Sequence, residues 1–285
     1  MTPKQYHKAP GINSTALSRY AEGPDIALMP MEPKSVFEIG NAFEALVEDR
    51  ACGTNKFGER FFYSKCSGGL PEKLVGWIEG LADLSTKYVL KKDGGLNNQK
   101  KTLHAYLDEC QENPGMVPIG AGDAEMLKRM VDNFFKMEIY GQSMSDLLSV
   151  CDFQEPVFWV DDWGREKKAL FDAITVCDGR AYIFDFKSAA NPAQFVQMLK
   201  RKYHFQASHY EEGATVKFGS SMPMMFLASY KCEPYLAQPW GVHPESRDMA
   251  RAVYMDTVAQ YDEWVKAGKP SRGWKEYDEV KLWFK

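Results

Sequence analysis

The sequence predicts an α/β protein in which a mixed central sheet is flanked by helices and preceded by a mainly helical region. Helical spacing and helix-stop signals dominate residues 1–150. From about residue 151 the pattern changes to strand-like runs with helices between them, which is typical of a layered domain with one core. With 45% hydrophobic and 26% charged residues, a chain of 285 residues can bury such a core.

Apolar spacing predicts helices in the N-terminal region over 15–21, 37–50, 74–90 and 123–140. Ser14 is the expected N-cap of the first helix and Asp123 that of the last, while Gly23-Pro24 and Gly141 are stop signals. Gly40, Glu44 and Glu48 share one face of the second helix, where Gly40 permits a close approach to the sheet.

The second half contains strand-like runs at 155–160, 168–176, 180–188, 224–230 and 235–242. Helices are predicted from Asn191-Pro192, over 203–216 and over 245–266. We therefore expect one domain over 1–285: a helical region (1–150), a sheet core (151–243), and a C-terminal helix with an aromatic tail (244–285).

Composition excludes several classes of protein. No run of 18 apolar residues predicts a membrane span, and the first residues lack the apolar stretch of a signal peptide, so we expect a protein that stays inside the cell. A formal charge of -4 means that a nucleic-acid site must be a local patch. Without a Cys-x-x-Cys pair, zinc ribbons and cysteine-held clusters are disfavoured, and the six cysteines are expected to be free and mostly buried.

The residues with most chemical potential lie on a predicted hairpin. Asp178-Gly179 is a favoured two-residue turn. If Cys177 pairs with Arg180 across it, counting back places Asp172 opposite Asp185, with Cβ atoms about 5 Å apart. Lys187 lies two residues further along and points to the same face.

Two carboxylates so close require a shared proton, a basic neighbour or a metal ion. Oxygen ligands favour a hard cation such as Mg²⁺, and a lysine beside it would orient the attacking water and stabilise charge on phosphorus. The alternative is that Asp172 lies in solvent at a sheet edge and Lys187 only neutralises Asp185. Spacing alone gives both interpretations equal weight.

A set of motifs in a fixed order bears on this choice. They are Ile39-Gly-Asn-Ala-Phe-Glu-Ala-Leu-Val-Glu48, Lys168-Ala-Leu-Phe-Asp172, Tyr182-Ile-Phe-Asp-Phe-Lys-Ser188, Tyr203-His-Phe-Gln-Ala-Ser-His-Tyr210, Tyr230-Lys231-x2-Pro234-Tyr235 and Trp274-x2-Tyr277. Their order resembles the PD-(D/E)xK nuclease superfamily, and most closely its RecE/RecB-like branch of phage-type recombination exonucleases. The resemblance covers about residues 12–280. Phe171 stands where a proline is usual, and Glu44 where a histidine is expected.

The resemblance implies a restriction-endonuclease-like core and roles for particular residues. Asp172 and Asp185 would be metal ligands, with the carbonyl of Phe186 as a further ligand, and Lys187 would be the catalytic lysine. Glu44 would add a third carboxylate to the metal site, and the alternative is a solvated glutamate on a helix that only packs. Gln206 and Tyr210 would support the site or contact DNA. Without the resemblance, a surface glutamine and a half-buried tyrosine would be the preferred interpretation.

Weaker candidates for DNA binding or site support are Glu48, Glu155 and the run Lys200-Arg201-Lys202. An ordinary strand-end glutamate is as good an account of Glu155, and a charged helix end is the usual account of the basic run. His204 and His209 do not share a helix face and are expected to be solvated rather than to bind metal.

The function implied by the resemblance is a Mg²⁺-dependent deoxyribonuclease in which Mn²⁺ substitutes. It would degrade linear duplex DNA from its ends, 5′→3′, and leave 3′ single strands for a single-strand annealing protein. Its relatives form ring-shaped homo-oligomers, and a phage or prophage protein in the cytoplasm of a bacterial host is expected. A structure- or sequence-specific endonuclease and a non-catalytic DNA-binding relative stay open as alternatives.

Overall fold

The computed structural model describes residues 3–30, 35–66, 105–106, 108–177, 180–220 and 222–271. The helices are α1 (Pro3–Lys8), α2 (Ser14–Glu22), α3 (Pro24–Leu28), α4 (Ser35–Cys52), α5 (Lys56–Arg60), α6 (Ala121–Phe134), α7 (Met144–Ser149), α8 (Pro192–Met198), α9 (His204–Phe218) and α10 (Pro244–Lys266). The strands are β1 (Phe61–Ser64), β2 (Val117–Gly120), β3 (Glu138–Ile139), β4 (Gln142–Ser143), β5 (Asp152–Val160), β6 (Glu166–Cys177), β7 (Arg180–Ala189), β8 (Met224–Tyr230) and β9 (Ala237–Gly241). The predicted helix 74–90, the Asp178-Gly179 turn and the aromatic tail lie outside the described residues.

The central sheet has the strand order β5-β6-β7-β8-β9. All neighbours are antiparallel except β7 and β8, which are parallel. Parallel strands need a crossover, and here α8, a π-turn (Leu199–Tyr203) and α9 provide it. The mixed α/β class, the sheet strands and the helix that Asn191 caps are confirmed.

Helices cover both faces of this sheet. One apolar cluster joins it to α4, α6 and α7, with Phe43 and Phe134 in edge-to-face contact at 5.4 Å. A second cluster joins the other face to α8 and α9, and α2 and α10 pack on α9. Of the helices in the described ranges, none is long and apolar enough to cross a membrane.

The predicted hairpin register is confirmed, because Cys177 pairs with Arg180 and Ala173 with Phe184. Beyond Ala173 the pairing of β6 with β7 stops, whereas β7 remains paired with β8 as far as Ala189. On the other side, the pairing of β6 with β5 skips Asp172, opposite Gln154, whose φ is +52°. The two strands therefore part where Asp172 and Asp185 lie.

The N-terminal segment is attached to β6 by a buried lysine. Lys168 is 3% exposed, and its Nζ donates to the carbonyl oxygens of Tyr6 (3.0 Å), His7 (3.3 Å) and Ala9 (2.6 Å). Three carbonyl oxygens replace part of the water that the ammonium loses on burial. This contact fixes α1 beside the strand that carries Asp172.

A buried polar cluster fixes the rotation of α9. The carboxylate of Glu212 accepts hydrogen bonds from Lys167 Nζ (2.8 Å), Trp159 Nε1 (3.0 Å) and the Tyr254 hydroxyl (2.6 Å). His209 also lies in this cluster, with no exposed surface, and its ring contacts Tyr254 and the Lys168 carbonyl. The expectation that His209 is solvated is wrong.

Two predicted helix boundaries are also wrong. The helix predicted over 123–140 spans Ala121–Phe134, and Gly120 rather than Asp123 is its N-cap. It ends early because Glu138–Ser143 forms a small hairpin, whose turn residue Tyr140 has a left-handed φ of +52°. Asn13, rather than Ser14, caps α2, since its side chain accepts from Ala16 N at 2.8 Å.

The prediction of mostly buried cysteines fails as well, although no disulfide joins the described ones. Cys52 and Cys232 are exposed, and the other three described thiols are half-buried: Cys66, Cys110 and Cys151. Cys52 is the last residue of α4, and Cys232 follows β8, so these two occupy element ends rather than core-facing positions.

We predict that Gly213→Ala destabilises the protein although alanine favours helices. A Cβ at Gly213 would lie 2.8 Å from Cζ3 of Trp159, whose indole is held by Glu212. Overpacking of this kind costs about 1–3 kcal/mol and outweighs the roughly 1 kcal/mol that alanine gains over glycine in a helix. Urea denaturation should show a lower free energy of unfolding.

Gly122→Ala is the matched control, since it is an exposed helical glycine with no atom within 4 Å of an added Cβ. It should leave stability unchanged or raise it. Equal gains in the free energy of unfolding in both variants would show that the Trp159 side chain moves aside without cost, and would contradict the prediction.

Candidate active site

A cavity of about 550 Å³ opens where β6 and β7 part. It brings together six of the residues singled out in the sequence: Glu44, Asp172, Asp185, Lys187, Gln206 and Tyr210. They come from α4, β6, β7 and α9, so the N-terminal helical region and the sheet core both contribute to the cavity.

Asp185 lies at the centre of this group and is 1% exposed. Its Oδ1 accepts a hydrogen bond from Gln206 Nε2, and its Oδ2 forms an ion pair with Lys187 Nζ. Oδ2 is nevertheless buried without a hydrogen bond of regular geometry. Among the described residues, Lys187 is therefore the cationic partner of this buried oxygen.

Asp172 uses the interruption of the strand pairing. Its Oδ2 accepts from the backbone N–H of Phe186 at 2.8 Å. This N–H lies beyond the last β6–β7 pair, so the side chain takes the place of a missing strand hydrogen bond. The bond holds the carboxylate of Asp172 at the mouth of the split beside Asp185.

Glu44 reaches the cavity because α4 lies close to β7. A Cβ at Gly40 would be 3.2 Å from Ser188 Oγ, which confirms the predicted close approach at that glycine. Phe43 and Val47 are fully buried in the core and direct the Glu44 face of α4 towards the cavity.

The three carboxylates hold their protons more strongly than usual. Burial raises the pKa of Asp172 well above its ordinary value, and the charges of Asp185 and Glu44 add to the effect. Burial also raises the pKa of Asp185, against the opposing effect of Lys187. Burial raises the pKa of Glu44 to about 7. The charge of Lys187 opposes this effect at all three carboxylates, and that of Arg60 opposes it at Glu44, yet the three pKa values stay raised. A further cation would favour the ionised carboxylates.

The remaining predicted residues lie outside this cavity. Glu155 forms an ion pair with Lys217, and Glu48 is half-buried further along α4. Lys200 and Arg201 are exposed on the π-turn. Lys202 is half-buried on the same turn, and its ammonium is near enough to Lys187 for the two charges to interact.

One wall of the cavity was missed in the sequence. It consists of residues from α1 to α3 and the links between them: Tyr6, His7, Asn13, Ser14, Thr15, Ala16, Arg19, Ala27 and Met29. Arg19 Nη2 donates to the carbonyl of Ile26 at 2.5 Å, while its Nε is buried without a partner. The only signal in the sequence was a basic residue on a capped helix, a feature that surface helices share.

The donor set fits a hard cation with few protein ligands. Within the described ranges, no group of three or more His, Cys, Asp or Glu side chains is arranged to hold a metal. Mg²⁺ usually takes one or two carboxylates and completes its shell with water and phosphate. Asp172 and Asp185 supply two such carboxylates in one cavity.

Comparison with known proteins shows similarity of fold. No protein-family model matches the chain, and no curated protein matches it. The crystal structure of a "Putative exonuclease" from Eubacterium rectale is similar over 95% of this chain and 88% of that chain, with 13% identity and a TM-score of 0.51. The crystal structure of SSO0001 aligns over 88% of this chain and 87% of that chain with 10% identity, but its TM-score of 0.27 is too low to bear on the fold. The first likeness shows that the two chains share an α/β fold.

We predict a pH-dependent stability difference between the wild type and Glu44→Gln in metal-free buffer. The pKa of Glu44 is about 7 in the folded protein, against an ordinary 4.5. An acid with a raised pKa contributes stability that is complete below the unfolded value and is lost as pH rises through the folded value. Glutamine does not titrate, so the variant should be the more stable protein at pH 8, and the difference should shrink towards pH 4.5.

Urea unfolding in EDTA across this pH range measures the difference, and Glu125→Gln, an exposed change on α6, controls for the chemical substitution. Wild type and Glu44→Gln curves that run parallel would contradict a raised pKa at Glu44.

Proposed function

We propose that this protein is a divalent-metal-dependent nuclease that hydrolyses phosphodiester bonds in DNA. The observation that carries the proposal is the pair Asp172 and Asp185, side by side with Lys187 in a cavity at the parting of two strands. This group has three carboxylates, and Lys187 is the ammonium in ion-pair contact with one of them. Its chemistry suits a bound Mg²⁺ and a phosphate group.

Asp172 and Asp185 would hold the metal, and the Phe186 carbonyl and Glu44 are the proposed further ligands. When bound, Mg²⁺ supplies Lewis-acid stabilisation of the phosphate and a more acidic water. Mn²⁺ has similar ligand preferences and is expected to substitute.

The other residues of the cluster orient and stabilise. Lys187 would orient the attacking water and balance charge that develops on the phosphate. Gln206 fixes the orientation of the Asp185 carboxylate, and Tyr210 packs against Phe171 at 5.2 Å, next to Asp172. Lys200, Arg201 and Lys202 are proposed contacts for the DNA backbone.

The order of the motifs supports a finer assignment to the RecE/RecB-like branch of the PD-(D/E)xK nucleases. The proposed reaction is then 5′→3′ degradation of duplex DNA from its ends, which leaves 3′ strands for an annealing protein. A ring-shaped homo-oligomer would explain how a chain with a net charge of -4 retains a polyanion, because enclosure substitutes for affinity. A phage or prophage protein acting in the bacterial cytoplasm fits that role.

The first experiment measures cleavage of end-labelled linear duplex DNA with Mg²⁺, Mn²⁺ or EDTA. Wild type should cleave with either metal and not in EDTA. Asp172→Asn and Asp185→Asn should each lose more than about 10²-fold in rate, since each removes a charged ligand but keeps the shape. Asp152→Asn, an exposed change on β5, is the matched control and should retain activity. Normal cleavage by either site variant would remove the metal-site assignment.

The second experiment separates end-dependent from internal cleavage. We expect linear duplex to be degraded while covalently closed circles survive, and light scattering should show a homo-oligomer under the same conditions. A monomer that nicks closed circles would identify an endonuclease, which shares the same proposed metal chemistry.

A further inference from the structure

We infer that the aromatic ring of Tyr203 is a positioning residue for Lys187, and that it holds the lysine ammonium when a metal occupies Asp185. This inference rests on the proposed function and adds to it a role for Tyr203, a residue that opens one of the motifs but has no role from the motifs or from the fold comparison. It follows from a competition for Asp185 that the proposed metal site creates.

Lys187 and a metal would share one partner. Within the described part of the chain, Asp185 is the one carboxylate in ion-pair contact with the Lys187 ammonium. A divalent ion bound to the same carboxylate would repel this ammonium and weaken its attraction to Asp185. The charge of Asp172, which also acts on Lys187, would be shared with the metal in the same way. Lys187 then needs a second partner to remain oriented.

The ring of Tyr203 is placed to be that partner. Its centroid is 5.4 Å from Lys187 Nζ, within the distance at which a cation is attracted to the face of an aromatic ring. A ring carries no net charge, so it neither neutralises the ammonium nor competes for the metal. A carboxylate in the same position would do both.

The ring itself is firmly held. It stacks on Phe226 with a centroid distance of 5.4 Å and an interplanar angle of 28°, and it contacts Phe195 at 5.6 Å. Phe226 is the β8 residue that pairs with Asp185, so the stack stands directly beside the cluster. Tyr203 ends the π-turn between α8 and α9, and such turns often occur at functional sites.

A second ammonium shares this ring. Lys202 Nζ is 5.7 Å from the same centroid. The two like charges repel each other, which disfavours movement of Lys187 away from the carboxylates and towards Lys202. The Tyr203 ring therefore attracts the Lys187 ammonium, while repulsion by Lys202 limits the positions that this ammonium can occupy.

The test compares Tyr203→Phe with Tyr203→Leu in the full-length protein. Phenylalanine keeps the ring, so its kcat on linear duplex DNA should stay within about twofold of wild type. Leucine removes the ring, and kcat should fall roughly 2- to 30-fold, the range expected for a cation–π contact. The Mg²⁺ concentration at half-maximal rate and the Kd for DNA, measured with Ca²⁺, should not change in either variant.

Phe195→Leu is the control for damage to the aromatic stack, because Phe195 contacts Tyr203 and no contact joins it to Lys187 among the described residues. If Tyr203→Leu acts only through packing, Phe195→Leu should lower kcat by a similar factor. We expect it to lower stability while kcat remains near that of wild type.

A second readout does not depend on activity. In protein with ¹³C-labelled lysine, the Lys187 Hε resonance, assigned by its loss in Lys187→Met, should be shifted upfield by the ring. The shift should persist or increase when Ca²⁺ or Mg²⁺ is added, and it should be absent in Tyr203→Leu.

The inference is overturned if Tyr203→Leu matches wild type in kcat, if Tyr203→Phe is as impaired as Tyr203→Leu, or if the upfield shift disappears on metal addition. A wild type that binds Mg²⁺ and keeps the shift but does not cleave DNA would instead contradict the proposed function.

Discussion

The feature on which the rest of the structure depends is the parting of β6 and β7 at Asp172 and Asp185. An unbroken ladder would use the N–H of Phe186 for strand pairing and leave no opening between the strands. Because the pairing stops at Ala173, Asp172 binds that N–H with its side chain, and the cavity forms between the strands. Sheet geometry thus brings two acids together and also creates the space in front of them.

This arrangement of carboxylates costs stability when no cation is bound to them. Burial raises the pKa of all three carboxyl groups, and the charge of Asp185 raises the pKa of Asp172 and Glu44 further. The surrounding core compensates, since Phe134 and Phe184 on one face and Phe195 and Phe226 on the other are fully buried. Clusters of carboxyl groups with raised pKa values are typical of functional sites.

The sequence was informative where local rules decide the structure. Turn chemistry at Asp178-Gly179 was sufficient to predict the β6–β7 register from Cys177–Arg180 to Ala173–Phe184, although the turn itself is not described. Asp172 and Asp185 lie just beyond the last pair, and the end of the pairing was not predicted. The Gly40 approach followed from helical spacing. By contrast, the burial of His209 depends on Tyr254, which is 45 residues away, and no local pattern reports such a contact. The N-terminal wall was missed for the same reason, because it is held by Lys168, about 160 residues further along the chain.

The long-range contacts that escaped prediction are also those that align the cavity. β6 carries Lys168, which fixes α1, four residues before Asp172. α9 is held on one side by Glu212 and His209 in the buried polar cluster, and on another side it presents Gln206 to Asp185. In β6 and in α9, the residues that anchor the element therefore lie close in sequence to the residue that the element places in the cavity. A helix or strand that is fixed so close to its functional side chain can move that side chain very little, which is what a site built from four separate elements requires.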